Sequence, residues 1–134
     1  MDNALFELAE RLGHTLKAKS YKIATAESCT GGGIAQAITE VPGSSAWFDR
    51  GFVTYSNSAK VQMLGVNPQT LEQYGAVSAE TASQMAAGAL ANSEADWVLA
   101  VTGIAGPDGG SDEKPVGTVY VAWQSKNGES KLER

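Results

Sequence analysis

The sequence predicts one α/β domain, a layered αβα arrangement with a central mixed sheet and glycine-rich loops at the strand ends. Three observations carry that expectation. Apolar runs of strand length partly alternate with segments of helical periodicity. They do so along 134 residues, long enough for one core and too short for two. Eight of the fifteen glycines gather around 31–33, 103–110 and 117 instead of spreading as a repeat, which marks loops built for close backbone approach.

Taken in order, Leu5, Leu8, Leu12 and Leu16 fall at helical spacing with charged residues between them, so 3–18 reads as an amphipathic helix packed by its leucine stripe. His14 lies off the stripe and reads as a solvated helix residue. Residues 21–26 read as a strand, followed at once by Glu27-Ser28-Cys29-Thr30-Gly31-Gly32-Gly33 and a short apolar helix through Ile34, Ala37 and Ile38. After the turn Val41-Pro42-Gly43-Ser44-Ser45, the β-branched and aromatic content of 48–55 predicts a second strand. A helix over 57–64 is opened by an Asn57 cap and stopped by Gly65. Asn67-Pro68 repeats the logic, with a stop at Gly75. Ser78 opens a longer helix whose stripe of Ala82, Met85, Ala86, Ala89 and Leu90 implies close packing. The apolar run 97–101 reads as a strand covered on both faces, and 116–123 as the last clear strand.

Composition narrows the function. Fifteen acidic against ten basic side chains give a net charge of -5, which disfavours a face that holds a nucleic-acid backbone. The single cysteine, Cys29, and the single histidine exclude an intrachain disulfide and a structural zinc site, so the reading is no metal and a reducing, cytoplasmic setting. The amino terminus carries acidic residues where a signal peptide carries positive charge, and no apolar run reaches the ~18 residues of a membrane span. Nothing implies a cofactor. A small-molecule substrate is expected, with no nucleic-acid or membrane partner. Trp47, Phe48 and the small-residue helix 79–92 read first as core packing and second as a subunit interface, which leaves a homo-oligomer open.

Three segments could carry chemistry. The first glycine loop offers backbone N–H groups at a helix N-terminus and the hydroxyls of Ser28 and Thr30, a sensible anion site that is neither G-x-G-x-x-G nor a Walker sequence. A tight strand-to-helix turn explains it equally well. Cys29 at that helix start invites a nucleophile reading against that of a small buried filler. Glu27 and Asp108 read either as a carboxylate or Mg²⁺-ligand pair or as caps. The second loop, Thr102-Gly103 to Gly110, is flexible enough to lie against a ligand and is otherwise a plain connection. The third segment runs from Gly43-Ser44-Ser45 through Tyr55 to Lys60. A Ser–Lys pair substitutes for Ser–His–Asp where a histidine base is lacking, and Tyr55 and Lys60 can project toward one place.

The same residues, read as a set, resemble the CinA C-terminal domain family. The segments are 25–32, Gly43-Ser44-Ser45, Val53-Thr54-Tyr55-Ser56-Asn57 with Lys60, Leu64-Gly65-Val66, Gly75-Ala76-Val77-Ser78, and 102–107 to 114–119. They stand in the family's order from about residue 5 to 123. The resemblance implies hydrolysis of the carboxamide of nicotinamide mononucleotide to nicotinate mononucleotide and ammonia in pyridine-nucleotide salvage. It implies Ser45 as nucleophile, Lys60 as base and Tyr55 as a hydrogen-bonding partner of the pair, while the adjacent Ser44 stays open as a rival nucleophile. It implies Thr102 and Gly103, with Ser28, Thr30, Gly31 and Gly32, as lining of the substrate pocket. The family pattern continues past the last strand into another strand and a helix that carries a pocket arginine. Residues 1–134 are therefore expected to be a single domain without that final strand and helix. The alternative function is a non-catalytic nucleotide- or phosphate-binding regulatory module built on the same loops.

A free lysine with a pKa of ~10.4 is neutral about once in 2,500 molecules at pH 7, a handicap of roughly 4.6 kcal/mol for a base. Lys60 must therefore be perturbed, by desolvation and by the substrate's own pyridinium charge.

Overall fold

The computed structural model describes residues 3–134. Five helices and a five-stranded sheet follow in the order α1 (Asn3–Ala18), β1 (Ile23–Glu27), α2 (Gly33–Thr39), a single 3₁₀ turn (Ser44–Ala46), β2 (Phe48–Val53), α3 (Asn57–Leu64), α4 (Pro68–Tyr74), α5 (Ala79–Ala91), β3 (Trp97–Gly103), β4 (Val119–Ser125) and β5 (Ser130–Glu133). The sheet order is β2-β1-β3-β4-β5. The first three strands are parallel and the last two antiparallel, so the sheet is mixed, as the sequence predicts. The fifth strand, beyond the last one legible in sequence, pairs with β4 through the Gly128 turn. All four of its residues are exposed, so it lacks the apolar alternation that would have announced it.

Alternation in the strands divides the core in two. Ala24, Ala26, Val98, Ala100 and Ala122 face α3 and α5, while Ile23, Trp97, Leu99 and Trp123 belong with α1 and α2. On the first side the sheet offers small side chains, which lets α5 lie close with its own stripe of Ala82, Met85, Ala86 and Ala89. Gly88 carries the closest approach, since a Cβ there would stand 1.8 Å from the Leu64 carbonyl oxygen of α3. The helix that bears Lys60 is thus held directly against α5.

On the second side the coverage is partial. Leu16 and Ala9 of α1 are buried, yet Leu5 and Leu8 are 44% and 58% exposed. The leucine stripe therefore packs only in its C-terminal half. With Ile34, Ala37, Leu99 and Trp123, the first two leucines border an open apolar groove of about 630 Å³. His14 is exposed, as the stripe predicts. No helix among the described residues is long and apolar enough to cross a membrane.

Local signals set the helix ends. Asn67 accepts from the Gln69 N–H and Pro68 opens α4, which stops before Gly75. Ser78 caps α5 through the Thr81 N–H. The cap of α3 is Ser56, whose hydroxyl accepts from the Ala59 N–H, one residue earlier than the Asn57 expected from sequence. Both residue types cap well, and the extended backbone at Ser56 decides between them.

Candidate active site

Because β2, β1 and β3 run parallel, with Glu27 beside both Val53 and Val101, the segments that leave all three emerge at one end of the sheet. Ligands of such sheets bind at the C-terminal strand ends. Ser28 follows β1 directly, Thr54 and Tyr55 follow β2, and Thr102 and Gly103 close β3. A Cβ on Gly103 would lie 3.1 Å from the Cys29 sulfur, so the two glycine loops meet here.

Lys60 stands at the centre of this convergence. It comes from the first turn of α3, is 1% exposed, and ranks among the largest fully buried side chains. Its Nζ lies 2.9 Å from Ser28 Oγ, 2.9 Å from the Thr54 carbonyl oxygen and 3.0 Å from the Tyr55 carbonyl oxygen. Among the described residues no carboxylate pairs with it. Burial pushes its pKa below the ordinary lysine value, and only a negative charge on Cys29, when that residue ionises, opposes the shift. The cation is solvated by three neutral oxygens only, which leaves the free amine less disfavoured than in water.

The surroundings of Ser28 are equally defined. Its N–H donates to the Val101 carbonyl, its hydroxyl reaches the Tyr55 carbonyl at 3.5 Å, and the side chain is buried. Burial raises the Cys29 thiol above its usual pKa, and the negative charge of Glu27 adds to that rise. A thiol held protonated is a poor nucleophile, so its place beside Ser28 fits the filler reading.

The structure does not bring Ser45 to Lys60 within one chain. Ser45 lies in the 3₁₀ turn ahead of β2, exposed, whereas Lys60 comes after that strand. Six residues of extended chain separate the two by roughly 20 Å. Ser44, the rival, is buried at that same far end. Residue type and a spacing of fifteen suggest a pair, but a strand carries its two flanks to opposite ends of the sheet. The serine that meets the lysine is Ser28, which sequence reasoning had assigned to the pocket wall. The signal that could have found it is position, since Ser28 stands directly after a strand and before a glycine turn.

Other expected site residues change role in detail. Tyr55 does contact the lysine, but through its carbonyl, while the residue is 73% exposed. Thr102 is fully buried and its hydroxyl donates to the Ala76 carbonyl, so the side chain pins the segment after α4. The N-terminus of α2, expected to attract an anion, already holds one of the protein's own. Glu27 Oε1 accepts from the Thr30 hydroxyl at 2.6 Å and the Ile34 N–H at 2.9 Å, and Oε2 from the Ala35 N–H at 3.0 Å. Glu27 is therefore a cap from inside the sheet and is not paired with Asp108, which is exposed. Thr30 and Gly31 are exposed at the rim, and a Cβ on Gly32 would lie 3.4 Å from the Val53 side chain.

The layered domain thus holds a buried serine–lysine contact at its parallel strand ends, and comparison with known proteins gives its family. The family model described as the CinA C-terminal domain matches residues 5–134. The chain belongs to the CinA C-terminal domain family. It is 56% identical over 128 residues to the nicotinamide-nucleotide amidohydrolase PncC of Escherichia coli, covering 96% of this chain and 78% of that one. It is 59% identical over 116 residues to the enzyme of the same name from Pseudomonas putida, covering 87% and 72%. A crystal structure of the competence/damage inducible protein CihA from Agrobacterium tumefaciens matches with a TM-score of 0.97 at 53% identity, over 99% of this chain and 81% of that one.

Proposed function

We propose that the chain is a nicotinamide-nucleotide amidohydrolase that converts nicotinamide mononucleotide to nicotinate mononucleotide and ammonia, with Ser28 as nucleophile and Lys60 as its base. The observation that carries this reading is the 2.9 Å contact between Ser28 Oγ and a fully buried Lys60 Nζ that has no acidic partner among the described residues. The names of the relatives at 56% and 59% identity support the substrate.

The geometry around Nζ suits the neutral amine. As the ammonium, Nζ donates to Ser28 Oγ and to the Thr54 and Tyr55 carbonyls; as the neutral amine it keeps two N–H bonds on the carbonyls and turns its lone pair to the Ser28 hydroxyl. Ser28 Oγ attacks the carboxamide carbon as its proton passes to Lys60. The tetrahedral adduct then collapses. The C–N bond breaks, the Lys60 ammonium returns the proton to the departing nitrogen as ammonia, and an ester on Ser28 remains. Water attacks that ester while Lys60 accepts its proton, and the carboxylate leaves as Ser28 is reprotonated. The cationic pyridinium makes the carbon more electrophilic and lowers the Lys60 pKa further on binding.

Amide bookkeeping limits the donors for the oxyanion. The N–H groups of Ser28, Gly31, Gly33, Ile34 and Ala35 are committed within the fold, whereas those of Cys29 and Thr30 donate to no oxygen among the described residues. Those two, next in the chain after the nucleophile, are the nearest available.

The reading places the enzyme in pyridine-nucleotide salvage and in the cytoplasm. Its test is ammonia release from nicotinamide mononucleotide with stoichiometric nicotinate mononucleotide. Binding of the nucleotide without any ammonia would instead favour the non-catalytic module.

A further inference from the structure

We propose that Glu27 is a positioning residue that holds both members of the Ser28–Lys60 pair, its side chain fixing the loop of the serine and its main chain fixing the strand end that aims the lysine. The proposal rests on the Ser–Lys reading above and goes beyond it.

The side chain is 1% exposed at the last position of β1. Its three partners, the Thr30 hydroxyl and the Ile34 and Ala35 N–H groups, are all donors. They lie on the far side of Ser28, so the carboxylate ties the end of the loop back to its beginning. The Gly31 N–H donates to the Ser28 carbonyl and the Gly33 N–H to the Thr30 carbonyl, which closes the turn around the nucleophile. The Glu27 carbonyl meanwhile accepts from the Thr54 N–H at 2.8 Å and faces the Thr54 hydroxyl at 3.4 Å. The Thr54 carbonyl is one of the two that hold Lys60. One residue therefore sits between both halves of the dyad.

Capping alone does not account for this arrangement. The N-cap position of α2 is Gly32, which makes no side-chain cap bond, and a Ser or Asp at the helix start is the usual device. Here the acid is drawn from the interior of the sheet, where burying a carboxylate is costly unless each oxygen is paired. The fold spends that cost on a turn that must keep one hydroxyl within hydrogen-bond reach of one amine.

Glu27→Gln keeps the size but puts an NH₂ group against a donor. The expected result is a kcat about 100-fold lower at a temperature where the variant is folded, with KM within about threefold. The acid limb of kcat/KM moves to higher pH, because a loosened loop lets water reach Lys60 and restores its basicity. Thr30→Val removes one of the three contacts and keeps the test open should the first variant not fold. Its kcat is expected about tenfold lower, with the limb displaced in the same direction. Wild-type kcat and an unmoved limb in whichever of these variants folds, even with a lower melting temperature, would leave Glu27 as a cap and overturn the proposal. Ser28→Ala and Lys60→Ala are assayed alongside. Activity retained in those two would overturn the dyad and the positioning role with it, whereas their inactivity beside a fully active Glu27→Gln would sink only the latter.

Discussion

Ser28 and Ser45 occupy opposite ends of one sheet, and their surroundings differ in each respect that matters to a nucleophile. Ser28 follows a central parallel strand, is 7% exposed, and touches a buried lysine. Ser45 precedes an edge strand in an exposed turn, where Pro42 and Gly43 border a groove lined by Glu10, His14 and Lys17 of α1. The first environment removes water from a cation that no acid among the described residues pairs with. The second leaves every charge solvated, so nothing there alters the reactivity of a hydroxyl. The difference teaches that a Ser–Lys pair is defined by which strand ends coincide, and that nearness along the chain is no guide when a strand lies between.

The comparison is most directly broken by substitution at both serines. Ser28→Ala and Lys60→Ala should each lower kcat for ammonia release by on the order of 10³-fold or more, as loss of a nucleophile or its base does elsewhere. Ser45→Ala should keep at least about a tenth of the activity, and the reverse ranking would return the nucleophile to the far end of the sheet.

Two glycines sharpen the contrast. Gly88→Ala drives a Cβ into the Leu64 carbonyl of α3, a backbone atom that cannot swing aside, and should cost on the order of 3 kcal/mol together with about tenfold in kcat as Lys60 shifts. Gly13→Ala meets the Trp47 ring at 2.5 Å at the other end of the sheet. It should cost about 1–2 kcal/mol in denaturant unfolding while kcat is kept. Equal kinetic effects would mean that the two ends are not separable.

The lysine also leaves a thermodynamic trace. Its pKa is lowered in the folded state, so between that value and ~10.4 the unfolded chain binds the extra proton and stability rises with pH. Below the folded value the full cost of the buried ammonium is present. Relative to Lys60→Met, the wild type should gain stability across that window with a slope of at most about 1.4 kcal/mol per pH unit, read from chemical denaturation at a series of pH values. A flat difference would mean that Lys60 titrates as an exposed lysine. The smallest effect is expected at the cap of its helix, where Ser56→Ala should cost about 1 kcal/mol and Asn57→Ala little.

Much of the fold was legible because its signals are local. The bounds of α1, α3 and α4 follow from leucine spacing, caps and stop glycines, and the strands from apolar runs of the right length. β5 was not legible, since an exposed strand of four residues has no pattern to read. The site was legible in membership more than in roles. Lys60, Ser28, Thr30 and Thr102 could be singled out as residue types beside turns. That Thr102 spends its hydroxyl on Ala76, that Tyr55 acts through a carbonyl, and that Glu27 fills the helix terminus all depend on partners 26, 5 and 7 to 8 residues away.

By itself, then, the sequence determined the layered α/β class, the helix boundaries and the motif set of the CinA C-terminal domain family, because periodicity, capping and glycine placement act over a few residues. Tertiary structure alone decided which serine faces Lys60. That pairing spans 32 positions and exists only because β1 and β2 run parallel and deliver Ser28 and α3 to the same end of the sheet. The same packing strips water from the lysine, and burial is a property that no spacing of residues along a chain can specify.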